Sequence, residues 1–375
     1  MYETISLINR YAGKRWIVSA DIPSGLNADT GMPMGIAVQA SQTVTLGFIK
    51  KGLVTGAAAD FVGQLSLAPI QIPRTIAQKN GRTEALLYEE QDAKCLPPRR
   101  ATGHKGLYGH VYVWAGELQK QGAAVLTSLA ALRAGAGLVT LVGNEVEIDA
   151  LRPRLPPEFM TEVWEKSLPL AKAHDVLALG PGMGISPSSW EWLKLALQSS
   201  WTLVLDADAT TLLSTHRNEA MALLRDREKE GRVTVLTPHP KEAARLLEST
   251  VDEVQSDRYA AGSRLAEQYR CWVILKGKGT VINGPGRAAI VVTTGNSGLS
   301  KGGTGDILTG VVASFLAQGL LPEQALPLSS YVHGRAAELL TEKEGSDRSM
   351  LASEITAALP LVFRELETCK NESST

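Results

Sequence analysis

From Gly103 onward the chain alternates short apolar runs with helical stretches, and this alternation restricts the fold more than any other feature. The runs are Gly109–Ala115 (GHVYVWA), Leu138–Val142, Val176–Leu179, Thr202–Asp206, Val233–Leu236 and Trp272–Lys276. Each is short, apolar and rich in β-branched residues. Helical patterns intervene, among them Ala123–Ala136, Trp190–Leu197, Lys241–Leu247 and Asp257–Gln268. Continuously apolar strands separated by helices predict an α/β domain: a mostly parallel sheet covered on both faces. Three later helices are expected at Asp306–Ala317, Ala325–Leu340 and Ser353–Glu365.

The first part of the chain is different. Residues 1–73 hold three short strand-like runs, Trp16–Ala20 (WIVSA), Thr43–Gly47 (TVTLG) and Gln64–Pro69 (QLSLAP). Residues 74–98 are polar, end in Pro97–Pro98 and predict a linker. The expected layout is therefore a short α/β fragment over 1–73, a linker over 74–98 and a large α/β domain over 99–367.

Composition removes several classes of function. With 375 residues, 44% hydrophobic and 21% charged, the chain has ample material for a core. A net charge of −1 leaves no electrostatic footprint for nucleic acid. Cys95, Cys271 and Cys369 lie far apart, with the spacing of neither a disulfide framework nor a zinc site, which fits a reducing cytosol. No apolar run reaches the roughly 18 residues that span a bilayer. The opening MYETISLINRYAGKR lacks the apolar core of a signal peptide, so a cytoplasmic protein without a membrane partner is expected.

The chemistry concentrates in Thr294–Asp306, TGNSGLSKGGTGD, which runs straight into the apolar helix ILTGVVASFLAQGL. Glycines let backbone N–H groups approach an oxyanion, and a helix start adds partial positive charge. A nucleotide phosphate suits such a loop, with Asp306 placed to take a proton from an attacking hydroxyl. The plainer alternative is a glycine-rich turn with Asp306 as a helix N-cap. In open parallel sheets ligands gather beyond the carboxyl ends of the strands, and four more suspicious clusters lie there. They are LGPGMG (179–184), LDAD (205–208), LTPHPKE (236–242) and LKGKGT (275–280). Taken singly, Asp206 and Asp208 are also candidate helix caps, His239 a loop histidine fixed by its prolines, and Lys276 and Lys278 solvated charges.

Those boxes in this order, with HKGLYGHVYVWAG and GAAVLTSLAALRAGAGLVTLV upstream, resemble the NAD(P)H-hydrate dehydratase family of the ribokinase-like superfamily over about residues 99–365. General sugar kinases share the GTGD loop but not the TPHP and KGKGT boxes together. The substrate implied is NADHX or NADPHX, the reduced cofactor hydrated at C6 of the nicotinamide. The implied reaction is nucleotide-dependent dehydration of its S form, with ADP (or ATP) as phosphoryl donor and Mg2+. Carried onto this sequence, Asp306 is the implied catalytic base. Lys276, Gly277, Lys278, Gly279, Thr280, Gly303 and Gly305 are implied nucleotide contacts, Gly302 adding a further N–H. Ala123, Gly184, His239 and Asp306 are the implied contacts of the hydrate. Asp206 and Asp208 are assigned to magnesium-bound water or to capping. The resemblance also implies a homo-oligomer, a tetramer.

Residues 16–73 resemble instead the C-terminal part of an NAD(P)H-hydrate epimerase domain, a partial Rossmann-like fold, through SADIPSGLNADTG, TVTLGFIKKGLVTGAAADFVG and APIQIP. Asp21 then matches a hydrate contact and Ser24 a potassium ligand. The upstream Asn- and Gly-rich loop of that family is not in this sequence. The expectation is a remnant, or part of a truncated gene model, without epimerase activity, potassium mattering only in a complete domain. Two other readings remain: a vitamin or sugar-alcohol kinase of the same superfamily, and a non-catalytic remnant.

Overall fold

The computed structural model describes residues 1–73, 75, 84–164 and 168–372. Ten strands form the larger sheet: β4 (Ala85–Tyr88), β5 (His110–Trp114), β6 (Leu138–Gly143), β7 (Met160–Val163), β8 (Asp175–Leu179), β9 (Thr202–Leu205), β10 (Thr234–Leu236), β11 (Trp272–Leu275), β12 (Thr280–Asn283) and β13 (Ala289–Val292). Their order is β4-β13-β12-β11-β10-β9-β8-β5-β6-β7, and β12 alone runs against the rest. The mostly parallel, doubly covered sheet expected from the apolar runs is present.

Both faces of the central strands are dry, which is why those strands read as unbroken apolar runs. Alternate residues serve two cores. Val111 and Val113 of β5, with Val176 and Ala178 of β8, pack toward helices Gln121–Arg133, Thr304–Ala317, Pro322–Glu344 and Ala352–Glu372. Leu177 and Leu179, from the same β8, pack toward helices Pro187–Gln198, Asp208–Thr215, Pro240–Leu247 and Arg258–Tyr269. Helix Thr304–Ala317 is buried on nearly every side, in keeping with its lack of a polar face. It lies tight against Gln121–Arg133: a Cβ on Gly310 would sit 2.1 Å from the Thr127 carbonyl oxygen. Small residues here bring two helix backbones together, and with them Asp306 toward the start of the helix that carries Ala123.

Two differences from the sequence reading have simple causes. The predicted linker 74–98 contains β4, which pairs in parallel with β13 at the sheet edge. As an edge strand with Leu86 exposed, it lacks the continuous apolar signature of the buried strands. Residues 74 and 76–83 of that segment lie outside the described residues. Strands β12 and β13 were not anticipated, because the glycines flanking them read as loop.

A separate three-stranded parallel sheet, β1 (Val18–Ala20), β2 (Gln42–Leu46) and β3 (Gln64–Ala68), occupies the N-terminal part. Its small core comprises Leu26, Ala37, Leu53, Ala58 and Val62. Among the described residues no helix is long and apolar enough to cross a membrane.

Candidate active site

Strands β5, β8, β9, β10 and β11 are parallel neighbours, so the segments that follow them emerge side by side along one edge of the sheet. Boxes separated by up to about a hundred residues in sequence become adjacent there, where ligands of such sheets bind.

Helix Thr304–Ala317 points its start at this edge. Its N-cap is Gly303, in a left-handed conformation with φ +91°, and Asp306 stands in the first turn. Asp306 is therefore not the cap, and no group among the described residues hydrogen-bonds its half-buried carboxylate. Burial, reinforced by the negative charge of Asp206 and opposed by Lys276, pushes this carboxyl up to about 6.

Beneath it lies a buried ion pair. Lys276 Nζ stands 2.7 Å from Oδ1 of Asp206, whose other oxygen accepts from the Thr309 hydroxyl at 2.8 Å. Burial alone would lower the Lys276 pKa, but the charges of Asp206 and Glu242 outweigh it and hold the amine above its ordinary value. With both oxygens engaged and Ala207 as the N-cap of the next helix, Asp206 is not a helix cap. Gly305 explains itself here: a Cβ would sit 3.3 Å from Lys276 Nζ and 3.6 Å from Asp206 Oδ2.

His239 caps helix Pro240–Leu247. Its Nδ1 accepts the N–H groups of Lys241 (3.1 Å) and Glu242 (3.2 Å), while Glu242 accepts from the His239 N–H at 2.8 Å. Burial, then the charge of Lys276, lowers the imidazole pKa, so the ring is neutral and its proton sits on Nε2. Nearby, Asp208 Oδ2 accepts from the Gly184 N–H at 3.0 Å and from Lys120 Nζ at 3.1 Å. Lys120 also pairs with Glu117 at 3.0 Å. Gly184 has φ +81°, a backbone conformation that strains any L side chain, and a Cβ there would press on the carboxylate end of Glu117. Ala123 stands just beyond, half-buried in the first turn of helix Gln121–Arg133.

A cavity of about 550 Å³ opens beside the helix start. Lys276, Gly277, Lys278, Thr280, Gly305 and His333 are among its lining residues. Gly279 and Gly303 are not; a Cβ on Gly279 would strike the Val54 carbonyl at 2.1 Å, so that residue faces the small sheet. Lys276 is paired with Asp206, whereas the exposed Lys278 has no carboxylate partner among the described residues and its Nζ donates to the carbonyls of Thr293 (3.0 Å) and Gly295 (2.9 Å). Asp306, Ala123, Gly184 and His239 lie outside this lining. His333 is buried, with its pKa pushed down to about 4, and its Nε2 has no partner among the described residues.

Asp21 and Ser24 belong to the small sheet and do not join this cluster. Asp21 follows β1 with φ +66°; Lys50 pairs with its carboxylate, the Leu46 N–H donates to it at 2.9 Å, and these contacts hold its pKa below the ordinary value. Ser24 is exposed. No group of three or more His, Cys, Asp or Glu that could hold a metal occurs among the described residues. Sequence reasoning missed Thr309, Lys120, Glu117, His333 and Glu242; of these only Glu242 carried a local signal, the capping-box spacing from His239.

The mostly parallel sheet covered on both faces, with a glycine-capped helix start at its carboxyl edge, is a ribokinase-like fold. A ribokinase-like superfamily protein from Enterococcus faecalis superposes with a TM-score of 0.63 at 24% identity, covering 76% of this chain and 97% of that one. A family model described as NAD(P)H-hydrate dehydratase matches residues 111–361, and one described as YjeF-related protein N-terminus matches residues 1–52. The bifunctional NAD(P)H-hydrate repair enzyme of Moorella thermoacetica is 37% identical over 97% of this chain and 69% of its own length; that of Escherichia coli is 36% identical over 95% and 67%. The ADP/ATP-dependent NAD(P)H-hydrate dehydratase of Bacillus subtilis, co-crystallised with ATP/Mg2+, is 31% identical with a TM-score of 0.65, covering 76% of this chain and all of that one. The chain belongs to the NAD(P)H-hydrate dehydratase family, enzymes that return NADHX and NADPHX to NADH and NADPH.

Proposed function

We propose that this chain dehydrates the S form of the hydrate with ADP as phosphoryl donor, ATP being the alternative, and that Asp306 is the general base. The observation that carries the reading is the Asp306 carboxylate, without a hydrogen-bond partner among the described residues and one residue from the cavity-lining Gly305. A carboxyl at about 6 stays ionised at neutral pH yet is more basic than an ordinary aspartate, which suits proton abstraction.

Hydroxide leaves carbon poorly at neutral pH. In the proposed sequence the C6 hydroxyl oxygen attacks the terminal phosphorus of ADP, its proton passes to Asp306, and AMP departs. The ring-nitrogen lone pair then expels phosphate from C6. Loss of a proton from C5 restores the C5–C6 double bond, so hydrate and ADP become reduced cofactor, AMP and phosphate. The N–H groups at Gly303 and Gly305 and the helix start face the transferring phosphoryl. The 276–280 box borders the nucleotide by backbone shape and by the Lys278 ammonium, the Lys276 amine being engaged by Asp206. Ala123, Gly184 and His239 border the hydrate, the His239 Nε2–H being a donor for its carboxamide or phosphate. Asp208 is engaged in orienting Gly184 and Lys120. Mg2+ fits the nucleotide's own phosphate oxygens, where it would neutralise charge, because no protein cluster among the described residues matches a metal.

A cytoplasmic setting and a tetramer belong to the same proposal. Helix Gln121–Arg133 is already covered by its own chain, so subunits would meet through other surfaces. The test is recovery of NADH absorbance from S-NADHX supplied with ADP, ATP or neither. Recovery with ADP is expected; none with either nucleotide would refute the reading.

A further inference from the structure

The cavity beside the helix start has a wall that comes from the small N-terminal sheet unit. Gly56, Ala59 and Asp60 line it together with residues of the 294–300 loop and of the 276–280 turn. These residues fall between the two segments matched by family models, 1–52 and 111–361.

The two parts of the chain are fastened together at this wall. Thr55, fully buried, donates its hydroxyl to the Gly279 carbonyl at 3.2 Å and accepts from Arg258 Nε at 3.2 Å. The Gly56 N–H donates to the Lys278 carbonyl at 2.9 Å, and Tyr259 donates its hydroxyl to the Lys51 carbonyl at 2.8 Å. Arg258 is the centre of the joint. Its Nη2 donates to the carbonyls of Leu275 (3.1 Å) and Lys276 (3.2 Å), and its Nη1 to Gln255 at 2.8 Å. No carboxylate among the described residues pairs with this buried guanidinium, whose pKa burial pushes down to about 10. Burying a cation is costly unless its donors are satisfied. Here they are spent on the carbonyls that shape the 276–280 turn and on Thr55, so the turn and the N-terminal segment hold one another in place. Gly277 sits at φ +138°, with a Cβ position 3.0 Å from the guanidinium nitrogens.

We infer that Thr55–Asp60 form part of the nucleotide site: Thr55 positions the 276–280 turn through Arg258, and Gly56–Asp60 wall the end of the cavity that takes the nucleoside. With Thr304 and Gly305 at the helix start assigned to phosphate, the part of the lining formed by Thr280, Ala59 and Asp60 is assigned to the nucleoside. This rests on the reading of 276–280 as the nucleotide box.

The test is calorimetric titration of the full chain with ADP, alongside Michaelis constants for nucleotide and hydrate. Thr55→Val removes two hydrogen bonds and leaves Arg258 Nε unpaired, so ADP affinity should fall about tenfold while the KM for hydrate stays unchanged. Thr55→Ser, which keeps the hydroxyl, should restore binding, as a merely space-filling role would not require. Ala59→Trp, at an exposed position where folding is not at stake, should weaken ADP at least as much by filling the nucleoside end. If Gly277→Val weakens ADP while Thr55→Val and Ala59→Trp bind it as wild type does, the wall is not part of the site and this inference fails. If Gly277→Val itself binds ADP normally, the reading of the box fails instead.

Discussion

Replacing Asp306 by asparagine should lower activity and raise stability together, and the structure gives a size for both. The carboxyl stands at about 6 against an ordinary 3.8, raised first by burial and then by Asp206. At about 1.4 kcal/mol per pH unit, holding it ionised at neutral pH costs the folded state up to roughly 3 kcal/mol. The sign follows from proton counts. Between about 4 and 6 the folded protein keeps a proton that the unfolded chain has released, so wild-type stability falls as pH rises through that window. Asparagine keeps the shape, carries no charge and removes that slope. Thermal and denaturant unfolding at neutral pH should therefore show the variant about 1–3 kcal/mol more stable, the two proteins converging below pH of about 4. Turnover, followed by NADH absorbance from S-NADHX and ADP, should fall about 10²–10⁴-fold, the scale for loss of a general base. An Asn variant that is fully active, or one that is inactive because it is less stable, would refute the reasoning.

The same carboxyl predicts that wild-type kcat/KM falls about tenfold per unit as pH drops below about 6, a limb the steady-state pH profile would lose if another group were the base. Lys276→Met leaves Asp206 buried without its cation and should cost about 3–5 kcal/mol in denaturant unfolding, with activity following stability down. His239→Ala removes a cap from two backbone N–H groups, so about 1 kcal/mol of stability should go with a higher KM for hydrate and an unchanged KM for nucleotide. Gly184→Val strains a positive φ, about 1–3 kcal/mol, displaces the Glu117 carboxylate and should likewise raise the hydrate KM.

The strands β5, β6, β8, β9, β10 and β11, the helices between them and the glycine-rich start of helix Thr304–Ala317 were legible in the sequence, because a strand buried on both faces must be apolar throughout. Edge strand β4 was not, since one exposed side makes it resemble a polar linker. What the sequence could not supply is the partner of each charge. Lys276 and Asp206 are 70 residues apart, and only the neighbouring exits of β11 and β9, one strand between them, bring them to 2.7 Å. Equally illegible were the engagement of Lys276 by Asp206 and the link from Thr55 to Gly279 across 224 residues. Composition and periodicity record what each residue prefers to be buried in; which groups meet there depends on strand order, and strand order is set by how the whole sheet closes over its two cores.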